Sequence, residues 1–79
     1  MLDRARGSPR NLRFRELVSL AESFGFRLVR IKGSHHIYAR PGIPELINLQ
    51  EADGRAKPYQ VRQFLKLLDK YKMAPGDER

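Results

Sequence analysis

Cysteine is absent from the 79 residues. No disulfide framework and no thiolate metal site can form without it. A small chain lacking cysteine fits a reducing compartment, so a cytoplasmic location is expected. No run of apolar residues approaches the roughly 18 that a membrane-spanning helix needs, and no membrane role is expected. The arginines near the N-terminus lead into no apolar stretch, so a secretory signal is not expected either. So short a chain makes one domain and buries a modest share of its surface. Its hydrophobic fraction of 41% suffices for one thin core and leaves no room for a deep, enclosed pocket. No cofactor is therefore expected, and a substrate lying across an open surface is favoured.

Positive charge is what the chain has in excess. Sixteen Lys and Arg stand against nine Asp and Glu, a net charge of +7. An imbalance of that size predicts a polyanionic partner. Nucleic acid is the usual one; an acidic protein or an anionic membrane surface would also satisfy it.

Residues 1–10 hold Arg4, Arg6 and Arg10 among Gly7, Ser8 and Pro9, and read as a flexible basic arm. The folded domain is expected over 11–74, with 75–79 as a disordered tail. Phe14, Leu17, Val18, Ala21 and Phe24 recur at helical spacing, with Asn11 as a plausible N-cap and Gly25 as the stop. Residues 26–32 are too short for a second helix and read as a strand. Gly33-Ser34 makes a turn, and residues 35–40 make a second strand that ends at Pro41-Gly42. Pro44 is expected to keep the next loop unpaired before a third strand over 46–50. Asp53-Gly54 signals a turn, and Pro58 suits the first turn of a closing helix. Val61, Phe64, Leu65, Leu68 and Tyr71 trace the apolar stripe of that helix. The expected fold is thus α+β, in the order α-β-β-β-α. A three-stranded antiparallel sheet carries both helices on one face.

Side chains alternate along a strand. Placing Ile37 and Ala39 under the helices sends His36, Tyr38 and Arg40 to the open face. Ile47 and Leu49 point inward, Asn48 and Gln50 outward, and Arg30 and Lys32 outward. Cations for phosphates, an aromatic ring and amides for bases or sugars suit an RNA surface. Arg55, Lys57 and Tyr59 form a second candidate contact, a basic and aromatic loop before a helix N-terminus.

The run Gly25-Phe26, Arg30 and Lys32-Gly33-Ser34-His35-His36-Ile37-Tyr38 resembles the HicA family of bacterial toxins. The element order also resembles that family's double-stranded-RNA-binding-domain-like fold. The resemblance covers roughly residues 11–73. It implies metal-independent cleavage of messenger RNA by one histidine, and a HicB-like antitoxin that masks the site. Mapped onto this chain, the catalytic residue is His35 or His36, presented by Gly33 and Ser34. Strand alternation favours His36, on the open face, and turns His35 toward the helices. The C-terminal half departs from the common pattern. Many members carry a proline-and-histidine segment after the third strand, where this chain has Asn48-Leu49-Gln50 and then Gly54 to Tyr59.

RNA supplies its own nucleophile, the 2′-hydroxyl. An imidazole titrates near neutrality and can take or give the proton that cleavage moves. Lys32 and Arg40 would hold the phosphate, and Tyr38 would stack on a base or orient it. The adjacent histidines make a poor metal site, since neighbours on a strand point apart and no carboxylate is near in sequence. The main alternative is an RNA-binding module of the same fold without catalysis. A protein-interaction domain for an acidic partner is the other. A DNA reader is disfavoured, because neither helix has the crowded polar face of a recognition helix.

Overall fold

A computed structural model describes residues 2–73, and for Asp3, Arg4 and Arg10 the backbone alone. The tail expected over 75–79 lies outside the described residues. In chain order the elements are α1 (Leu2–Gly7), α2 (Phe14–Ser23), β1 (Arg27–Lys32), β2 (His35–Arg40), β3 (Ile43–Ala52), β4 (Arg55–Ala56) and α3 (Pro58–Lys70). All strand pairs are antiparallel and lie in sequence order, β1-β2-β3-β4. The α+β meander is as expected, with four strands instead of three. The fourth is two residues long, too short for a periodicity signal. It survives because Ala56 N donates to Leu12 O on its far side, and Phe14 N donates to Gly54 O.

The N-terminal segment is not the flexible arm expected. Leu2 packs against the core, Ala5 is fully buried, and Arg6 pairs with Asp69 of α3 at 2.8 Å. Leu2 and Ala5 stand three apart, and that one-turn spacing is enough to seat a short helix. Asn11 does not cap α2. It sits in a 3₁₀ turn over Pro9–Asn11 and donates to Ser8 Oγ. The first turn of α2 is closed instead by Glu16, whose Oε1 accepts the Arg13 amide at 2.9 Å. At the other end Gly25 adopts φ +88°. Its amide reaches Glu22 O while the Phe26 amide reaches Ala21 O, the paired bonds of a Schellman stop. That stop turns Phe26 into the core at the mouth of β1.

Leu17, Leu20 and Ala21 of α2 are buried, and so are Val61, Phe64, Leu65 and Leu68 of α3. Phe64 meets Phe24 and Phe26 edge-on, with ring centroids 5.9 and 5.8 Å apart. β3 is longer than expected and includes Pro44. A proline lacks the donor for a ladder but is tolerated near a strand's start or on an edge.

The sheet's inner face also differs from expectation. Tyr38 pairs with Ile47 and His36 with Leu49, so these side chains share a face. Ile47 and Leu49 are buried, so that face is the one under the helices. His36, Tyr38 and Arg40 therefore point inward, while His35, Ile37 and Ala39 point outward. The alternation holds, but its phase is set by the partner strand. Tyr38 is a larger apolar body than Ile37 or Ala39 and fills the space beneath the helices. A bulge between Leu28 and Arg30 resolves β1: Leu28 and Ile31 join the inner rows, Arg30 and Lys32 the outer.

Candidate functional site

Cross-strand pairing builds the open face in rows. Lys32, His35 and Gln50 are successive partners across β1, β2 and β3. Arg30, Ile37 and Asn48 form the next row. The hairpin that makes this possible turns at Gly33, whose φ of +61° favours glycine although a side chain there would meet nothing within 4 Å. The requirement is conformational, not steric.

His35 is exposed at the head of this face. Its Nδ1 lies 3.1 Å from Asn48 Oδ1. A carbonyl oxygen only accepts, so the contact suits the tautomer with the proton on Nδ1, in which Nε2 is the nitrogen left to accept. Ser34 Oγ, beside it in sequence, accepts from Gln50 Nε2 at 3.2 Å. Lys32 and Arg30 are exposed on the same face. The group can accept a proton at one point and hold negative charge around it.

His36 is placed differently. It is half-buried on the helix side, with its ring centroid 5.0 Å from that of Phe14. Its Nδ1 lies 3.1 Å from Ser34 O. The expected facing of the two histidines is thus reversed. Tyr38 is 4% exposed, and burial, with Glu22 nearby, pushes its phenol up from 10. It cannot serve as a stacking platform. Arg40 is 8% exposed and directs its guanidinium at Met73 Sδ, with Nε left without a partner among the described residues. It cannot serve as a phosphate clamp. Both belong to the core, not to the open face.

Arg55 and Tyr59 are exposed and Lys57 is half-buried at the head of α3. A polar line joins this head to the histidine turn. Gln60 Nε2 donates to Tyr59 Oη at 3.4 Å, and Gln60 Oε1 accepts the Gln50 amide at 2.7 Å. Gln60 was not foreseen as part of the site. Its signal is a polar residue four before Phe64, on the stripe that is otherwise apolar. It is buried because β4 is too short to serve the Gln50 amide, and the side chain stands in for a strand. Arg13 and Arg15 were also unforeseen. With Phe14, Glu51 and Gly54 they line an open cleft of about 390 Å³ beyond the ring that packs on His36.

Among the described residues no three His, Cys, Asp or Glu side chains gather in one place. No helix among them is long and apolar enough to cross a membrane.

A family model described as the HicA toxin of bacterial toxin-antitoxin matches residues 14–69, well over half of the chain. The chain belongs to the HicA toxin family. The matched span runs from the start of α2 almost to the end of α3 and contains the histidine hairpin. No curated protein and no solved structure matches the chain. Membership in HicA makes this chain a toxin of a toxin–antitoxin system, which implies an antitoxin as partner.

Proposed function

We propose that this HicA toxin is a metal-independent endoribonuclease that cuts messenger RNA in the cytoplasm, with His35 as its general base and a HicB-like antitoxin as its inhibitor. The observation that carries the reading is the His35 imidazole, exposed on a basic sheet face and oriented by Asn48 at 3.1 Å.

Nε2 of His35 takes the proton of a ribose 2′-hydroxyl. The resulting oxygen attacks the adjacent phosphorus, and the bond to the 5′-oxygen breaks. Lys32, the cross-strand partner of His35, offsets the charge that builds on the phosphate oxygens. The departing oxygen takes its proton from water. The products carry a 2′,3′-cyclic phosphate and a 5′-hydroxyl. Arg30, Asn48 and Gln50 hold the flanking nucleotides, while Gly33 and Ser34 fix the turn. Arg55, Lys57 and Tyr59 extend the contact at the head of α3. General-base help of this kind is worth about 10²–10⁴-fold, enough for a toxin that inactivates a message with one cut.

The test uses RNA with a single 2′-deoxy substitution at a mapped cut site, in the presence of chelator. Cleavage there should stop while other sites are still cut, and the fragments should carry cyclic phosphate ends. Continued cutting at the deoxy position would refute a 2′-hydroxyl mechanism. If RNA is retained at low salt but never cut, the chain is an RNA-binding module of the same fold.

A further inference from the structure

β1 is an edge strand: it pairs with β2 on one side, and no described strand pairs with its other side. Every one of its six residues is exposed. Leu28 is 45%, Val29 59% and Ile31 55% exposed, three large apolar side chains within four residues of one short strand. Leu28 and Ile31 face the side where the helices lie, but the helices stop short of them. An edge with its backbone groups open and apolar side chains along it is a template for another strand.

Charge selects the occupant. Arg30 and Lys32 lie on this strand, β1 carries no acidic residue, and the chain as a whole is at +7. A second copy pairing through β1 would set these cations against their own kind. An acidic strand with apolar residues at alternate positions meets both the charge and the exposed side chains. RNA would satisfy the cations but leave Leu28, Val29 and Ile31 in water. We infer that the outer edge of β1 is a docking site for an extended, acidic segment of a partner protein, added to the sheet as a further strand. The bulge after Leu28 confines the regular ladder to the stretch ending at Lys32, and the apolar contacts supply the rest. Because Lys32 is paired with His35, such a segment ends one strand away from the imidazole. The biological source of that segment, the antitoxin, rests on the toxin reading; the docking chemistry does not.

The probe is a synthetic peptide alternating glutamate with valine, compared with its lysine-for-glutamate counterpart. Amide exchange and shift changes are followed by NMR on the full chain. The glutamate peptide should newly protect the alternate amides between Val29 and Lys32 that point away from β2, and bind roughly tenfold or more tightly than the lysine peptide. The Val29→Ser/Ile31→Ser double variant, which leaves the charge beside Arg30 and Lys32 unaltered, should lose roughly tenfold or more of that binding while cutting RNA at the wild-type rate. Both side chains are more than half exposed, so the fold tolerates the change. The inference is overturned if no β1 amide is protected, if the double variant binds equally well, or if a short RNA protects the same amides. A chain that docks the peptide but cuts no RNA refutes the ribonuclease reading alone.

Discussion

At the residue scale, the site depends on which atom of one imidazole is available. Asn48 holds Nδ1 of His35 as a donor, leaving Nε2 to accept. Asn48→Ala should therefore slow RNA cleavage about tenfold through a misoriented ring, while loss of an exposed hydrogen bond of about 1 kcal/mol lowers the melting temperature by only about 4–8 °C and leaves the chain folded at the assay temperature. Single-turnover cleavage beside a thermal melt separates the two. Equal rates would show that Asn48 does not position the base. Arg40 makes the opposite case. Its buried Nε lacks a partner among the described residues, so Arg40→Met should leave stability level or raise it by about 1 kcal/mol. RNA affinity, measured by filter binding, should change less than about twofold, the small shift expected where no phosphate contact is removed. A large loss of affinity would return Arg40 to the RNA surface.

At the element scale, the histidine hairpin is held from two sides. Gly33 turns it in a left-handed conformation, and Gly33→Ala should cost about 1–2 kcal/mol in unfolding free energy despite the open space around it. Gln60 braces it from α3. Gln60→Leu strands the Gln50 amide and should cost about 1–3 kcal/mol, with faster amide exchange at Gln50. Urea unfolding checks both; a neutral Gln60→Leu would mean that water serves the amide as well. Much of this level was legible in advance. The stripe of α3, the Gly25 stop and the two tight turns each follow from local chemistry and stand as read. The phase of β2 was not legible, because alternation offers two faces and only the pairing with Ile47 and Leu49 chooses between them. That one ambiguity exchanged His35 for His36 and carried Tyr38 and Arg40 to the wrong side. β4 and the seat of α1 depend on contacts distant in sequence, which no local pattern records.

At the scale of the whole molecule, a thin core is closed by ties between its layers. Glu45 of β3 accepts from Lys70 Nζ and from Tyr71 Oη, each at 2.6 Å, and these bonds hold its carboxyl down at about 2. The stability this tie contributes is whole above the ordinary carboxylate value and is lost as pH falls toward about 2. Glu45→Gln should flatten the acid limb of the stability curve between about pH 5 and pH 2, read from urea midpoints. An unaltered limb would place the acid sensitivity elsewhere. The net charge of +7 acts over the same scale and should make RNA binding weaken steeply with salt.

The claim on which the rest depends is that the outward histidine, not the inward one, does the chemistry. Cleavage of one RNA in chelator by His35→Ala and His36→Ala, each confirmed folded by circular dichroism, tests it directly. His35→Ala should lose about 10²–10⁴-fold, and His36→Ala should stay near wild type. Undiminished cutting by His35→Ala would contradict the claim.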